Sequence, residues 1–147
     1  MPPLAGTPAP AIAPAGPVLL VFFKNSCPTC QLALPVYGEL ARRYGERLPV
    51  VAVSQDAASK ARPWLDERGF LGPLIDDADG YPLSEAFAIR SVPTVVLVDD
   101  ATVVDVSEAW DRDRANEWDT DLAARTGIES PGPLSTPGDG RPPFKPG

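Results

Sequence analysis

The chain reads as an α/β domain with a central mixed β-sheet flanked by helices on both faces. Three observations carry that reading. The wholly apolar run Val18 to Phe23 reads as a strand, and a helical pattern follows it at once. A second apolar run, Pro49 to Ser54, is again followed by a helical pattern, which makes a β-α-β unit with parallel strands. Two β-rich runs, Thr94 to Asp99 and Thr102 to Ser107, then stand two residues apart, the spacing of an antiparallel hairpin. Parallel and antiparallel neighbours in one sheet, with helices between them, give a mixed α/β sandwich.

Each element has a local cause. Residues 27 to 44 carry apolar side chains at 30, 34, 37, 41 and 44, a helical stripe that Gly45 stops, with Pro35 inside it as a kink. Asp56 is the expected N-cap of the next helix, which presents Ala61, Trp64 and Leu65 and ends at Gly69. Leu74-Ile75 reads as a short extended segment. The acidic stretch Asp76, Asp77, Asp79 reads as a solvated turn, because it lacks the spaced ligands and terminal glutamate of a calcium loop. A short helix is expected over 82–89 and an amphipathic one over 112–125, stopped by Gly127. Trp64, Trp110 and Trp118 are expected to pack in the interior.

Proline marks the ends. Six of the 19 prolines lie in residues 2 to 17 and six in 131 to 146, which predicts a Pro-rich arm over 1–17, a domain over 18–127 and a Pro/Gly-rich tail over 128–147. Such a tail has no core of its own, and Leu134 and Phe144 are the residues that would rest on the domain. A net charge of −7 argues against nucleic acid and anionic membranes as partners, because both require clustered Lys and Arg. The first residues lack a basic stretch, and the longest apolar run is too short for a signal or a span. These features predict a cytoplasmic protein; the alternative is an exported one whose signal is absent from the sequence.

The two cysteines stand together as Cys27-Pro28-Thr29-Cys30, at the point where the first strand gives way to the first helix. A thiol at a helix N-terminus meets the positive end of the backbone dipole and unpaired N–H groups, which favour thiolate. Cys27 is therefore the expected attacking sulfur and Cys30, one turn on, the resolving one. Zinc needs about four ligands, and the chain has neither a third cysteine nor a histidine. A structural disulfide stabilises by closing a long loop, and this pair closes a very short one. Lys24, three residues before Cys27, is a candidate thiolate stabiliser; its plainer reading is a solvated strand-end charge.

The segments Leu20-Val-Phe-Phe-Lys-Asn-Ser-Cys-Pro-Thr-Cys30, Pro35, Val53-Ser-Gln-Asp56 and Ser91-Val-Pro-Thr94 leading into Val95-Val-Leu-Val98 resemble the thioredoxin-like superfamily, and within it the TlpA-like thiol-disulfide reductase and redoxin group. The resemblance spans residues 18 to 127 and implies a thioredoxin-like fold. It implies a cis bond before Pro93, on a loop beside the cysteines, with the backbone of Val92 free to pair with an extended substrate. Pro28 and Thr29 would share in binding that substrate.

The chain departs from the group at three positions. Ser26 replaces the usual tryptophan before the first cysteine, and Val21 and Ala33 replace carboxylates that relatives place near the resolving thiol. The tail also resembles proline-rich tails that end in Phe-x-x-Gly before a cysteine or selenocysteine. Two readings of it stay open: a plain arm, or a segment that continues past Gly147 into such a residue.

The expected function is dithiol–disulfide exchange by a monomeric thiol-disulfide oxidoreductase using no cofactor and no metal. Its partners would be a protein or small-molecule disulfide and a thiol reductant or reductase, with no nucleic acid and no membrane. One alternative is a peroxiredoxin-like thiol peroxidase, whose Pro-x-x-x-Thr-x-x-Cys pattern is absent at both cysteines: Lys24 and Leu20 precede Cys27, and Cys27 and Phe23 precede Cys30. The other is a redox-inert peptide-binding module of the same fold.

Overall fold

In the computed structural model, which describes residues 4–147, a five-stranded sheet has the order β3-β2-β1-β4-β5. Its strands are β1 (Val18–Phe23), β2 (Val50–Ser54), β3 (Leu74–Asp76), β4 (Thr94–Asp99) and β5 (Thr102–Glu108). The first strand is the central one, and every residue of β1 is buried. It pairs in parallel with β2, Leu19 opposite Val50, and antiparallel with β4, Val18 opposite Val98. The hairpin β4–β5 turns at Asp100 and Ala101, both with positive φ.

Helices α1 (Pro28–Tyr44), α2 (Ala58–Glu67), α3 (Pro82–Ala86) and α4 (Arg112–Thr126) cover the sheet. Adjacent residues of a strand point to opposite faces, so β1 reaches both layers at its carboxyl end. Phe22 meets Phe87 edge-on, with ring centroids 5.5 Å apart, and Phe23 stacks on Trp64 of α2 at 5.4 Å. Trp110 and Trp118 are fully buried, whereas Trp64 is only half-buried, under the Arg68 guanidinium. Tyr44 of α1 and Asp119 of α4 join their helices through a 2.5 Å hydrogen bond.

Two local expectations are corrected. Asp56 does not cap α2. Ala57 holds that position without a side-chain bond, and the free Ala58 N–H donates 2.9 Å to the Asp76 carboxylate on the neighbouring strand. Asp56 instead accepts from the Asn25 N–H at 2.7 Å. Nor is the acidic stretch a solvated turn throughout. Asp77 is fully buried and accepts from the N–H groups of Leu83 and Ser84 and from the Ser84 hydroxyl, so its oxygens hold the start of α3.

The ends are ordered along the domain. The stretch before β1 runs beside the edge strand β5, with the Val103 N–H donating to Thr7 and the Gly6 N–H to Val103, which covers backbone groups that an edge leaves open. Residues 128–147 cross α4 and α1 toward the cysteine end of the sheet. Asn116 accepts from the Leu134 and Ser135 N–H groups, and Arg112 donates 2.7 Å to the Arg141 carbonyl and faces Asp139 at 3.5 Å. The Trp110 indole donates 2.7 Å to the Pro142 carbonyl. Beyond it β6 (Trp110–Asp111) pairs antiparallel with β7 (Phe144–Lys145). Leu134 packs against the core as half-buried side chains do, but Phe144 remains 56% exposed. Among the described residues no helix is long and apolar enough to cross a membrane.

Candidate functional site

The chain leaves the buried end of β1 at Phe23, turns through Lys24 to Ser26, and enters α1 at Pro28. Proline suits the first helical position because the N–H it lacks would have had no helical partner there. Cys27 is consequently the N-cap residue, with extended backbone, and its Sγ accepts the Cys30 N–H at 3.2 Å. The sulfur takes the place of the usual capping oxygen. Asp56 fixes the approach by holding the Asn25 N–H, and the Asn25 side chain donates 3.2 Å to the Lys60 carbonyl.

Both cysteines are free thiols, Cys27 4% exposed and Cys30 wholly buried behind it. Burial pushes the Cys30 thiol far up from its ordinary value, and its hydrogen bond with Cys27 adds to the shift. Val21 and Ala33, where the resemblance implies carboxylates, are buried apolar side chains, so neither position offers Cys30 a proton acceptor.

The loop before β4 closes the other side. Its Val92–Pro93 bond is cis, and the Cys27 Sγ–H donates 3.4 Å to the Val92 carbonyl. A cleft of about 390 Å³ opens between this loop and the start of α1, lined by Lys24, Ser26, Cys27, Pro28, Val92 and Gly147 among others. The predicted residues Cys27, Cys30, Val92, Pro93, Pro28 and Thr29 thus meet at one end of the sheet. Lys24 lines the same cleft with its side chain exposed.

Two features depart from the expected substrate surface. Thr29 is 2% exposed, because its hydroxyl donates 2.6 Å to the Pro146 carbonyl. Gly147 lies against Val92 so closely that a Cβ there would overlap the Val92 carbonyl oxygen. The backbone expected to be free already has a neighbour from the tail. Sequence reading assigned no site role to Gln55, Ile89, Arg90 or Ser91, which complete the cleft. Gln55 enters from the loop after β2 and the other three from the loop before β4, so no spacing rule joins them to the cysteines.

This geometry, a mixed sheet whose central strand delivers a Cys-x-x-Cys pair to a helix N-terminus opposite a proline loop, defines a thioredoxin-like protein. The chain belongs to the AhpC/TSA family, whose model matches residues 11–107, and falls in the redoxin group of thioredoxin-like proteins. It is 29% identical over 91 residues to thioredoxin-like protein YneN of Bacillus subtilis, covering 59% of this chain and 52% of that protein. It is 26% identical over 89 residues to thioredoxin 1 of Synechococcus elongatus, covering 60% and 63%. The chain therefore spans about half to two thirds of the length of these relatives. A solved structure described as a putative thiol:disulfide interchange protein DsbE from Chlorobium tepidum superposes with a TM-score of 0.70 at 20% identity, over 85% of this chain and 99% of that one. At that identity the likeness is one of fold.

Proposed function

We propose that the protein is a thiol-disulfide oxidoreductase in which Cys27 attacks and Cys30 resolves. The observation that carries the reading is the cap at Cys27, a sulfur that receives a backbone N–H and faces the cleft while its partner is shielded beneath it. The Cys27 thiolate attacks one sulfur of a disulfide, and the other sulfur leaves as a thiolate that takes up a proton. Cys30 then gives up its proton and attacks Cys27 Sγ. The substrate's second sulfur is released and the enzyme holds the Cys27–Cys30 disulfide, so two electrons have passed to the substrate. A thiol reductant or reductase returns the pair to the dithiol.

A protein or small-molecule disulfide is the proposed substrate, with the Val92–Pro93 loop, Pro28 and Thr29 as the surface it meets and Lys24 as a charge that holds the Cys27 thiolate. We place the protein as a monomer in the cytoplasm, where a reducing pool would keep the pair open. A Cys27/Cys30 potential near thioredoxin's, about −270 mV, would favour a reductase, and a much more oxidising one would favour an oxidant. A peroxide-reducing role lacks the hydroxyl that would align peroxide, because Lys24 stands at that position before Cys27.

Trapping tests the roles. Cys30→Ser is expected to accumulate mixed disulfides through Cys27, since attack survives and release does not, while Cys27→Ser accumulates none. Equal alkylation of both thiols by iodoacetamide near neutral pH would overturn the assignment.

A further inference from the structure

The tail has two unequal parts. Up to Pro143 it is held firmly: the Trp110 indole and the Arg112 guanidinium bind the carbonyls of Pro142 and Arg141, the Arg112 N–H donates to Pro143, and Arg141 donates 2.6 Å to the Leu32 carbonyl of α1. Residues 144–147 have much less to hold them. They make a two-residue ladder with β6 and the single bond from Thr29 to Pro146, and the one large apolar side chain, Phe144, is more than half exposed. Yet this lightly held end lies on Thr29 and the Val92 carbonyl, at the wall of the cleft that Cys27 faces.

We propose that residues 144–147 are a displaceable cover for the Cys27 cleft, an internal competitor that an extended peptide must lift before reaching the sulfur. The firm anchor at residues 141–143 keeps the cover at high local concentration, so few direct contacts suffice to hold it closed. Its extended backbone occupies Thr29 and Val92, the groups an incoming peptide would use. Glycine at 147 is part of the fit, because any Cβ would overlap the Val92 oxygen and unseat the cover. The consequence for catalysis rests on the thiol-exchange reading; the cover itself rests on packing alone.

The test reads Cys27 directly by its rate of alkylation with iodoacetamide, in a Cys30→Ser background so that one thiol reports. Deletion of residues 144–147 and, separately, Gly147→Val are both expected to raise that rate at least fivefold, with an unchanged thermal midpoint. Equal rates in the intact chain, the deletion and Gly147→Val would overturn the proposal. Disulfide reduction is measured alongside with both cysteines present. Exchange with no change in alkylation leaves the enzyme and removes the cover, whereas faster alkylation without exchange does the reverse.

Discussion

The Cys30 thiol lies fully buried beneath Cys27, and the cost of placing charge there pushes its ionisation far above the ordinary value of 9.0. That shift has a measurable sign. Above about pH 9 the unfolded chain loses a proton at Cys30 that the folded dithiol retains, so the unfolded state binds fewer protons and stability falls as pH rises. The stability is fully present below that pH, and each unit above it costs up to about 1.4 kcal/mol. Tyr37 and Tyr44 are shifted upward as well, each first by burial, but from an ordinary value of 10.0. The window between 9 and 10 therefore precedes theirs. Urea unfolding of the reduced protein at pH 8, 9 and 10 should show a decline that Cys30→Ser reduces. Parallel declines in the two proteins would mean that Cys30 ionises freely in the fold.

Among the elements, the connections around α1 and α2 show how a polar side chain chooses its partner. Asp56 stands at the right spacing to cap α2, but the tertiary fold brings the Asn25 N–H within 2.7 Å of it and supplies Asp76 to the helix instead. Two hydrogen bonds form where a local cap would have made one, and the loop that delivers Cys27 is fastened to the loop after β2. Asp56→Ala should cost about 1–2 kcal/mol, since a bond to a charged acceptor is lost, and should raise the Cys27 alkylation rate by loosening its approach. Asp56→Asn, which keeps an accepting oxygen, should recover part of both. Urea midpoints and alkylation rates check the pair of effects, and an alanine variant indistinguishable from the parent in both would remove Asp56 from this role.

Across the molecule, one buried carboxylate joins three parts of the chain. Asp119 of α4 accepts from the Tyr44 hydroxyl and, at 2.9 Å, from Arg43, both on α1, and from the Ser130 hydroxyl in the tail. Arg43 extends the network to the Gly132 carbonyl at 2.6 Å. Arg43, with 13% of its side chain exposed, keeps Glu39 at 2.9 Å when Asp119 is removed, but the buried Tyr44 hydroxyl and the Ser130 hydroxyl both lose their acceptor. Asp119→Ala is therefore expected to destabilise the fold by about 3 kcal/mol, because hydrogen bonds to a carboxylate are lost and the Tyr44 hydroxyl is left unpaired in the interior. At this length that is a drop of about 10 °C in Tm. A loss below about 1 kcal/mol would show that α1, α4 and the tail hold together without it.

The sequence by itself determined the order and type of the main elements, because burial on a strand or helix imposes a period that β1, α1, β2 and the β4–β5 hairpin each display. It also placed Cys27 and Cys30 at a strand-to-helix junction, and its resemblance to the thioredoxin-like superfamily implied Val92 and Pro93 as their neighbours. Tertiary structure decided what those patterns do not encode. The donor that Asp56 would satisfy, the burial of Asp77, the closure of Arg43 and Tyr44 on Asp119, and the course of residues 128–147 into the cleft all depend on groups distant in sequence. Polar side chains and proline-rich segments carry no period, so their partners are selected by proximity after the apolar elements have packed. That is why the paired thiols could be read from four residues, and the cover beside them required the fold.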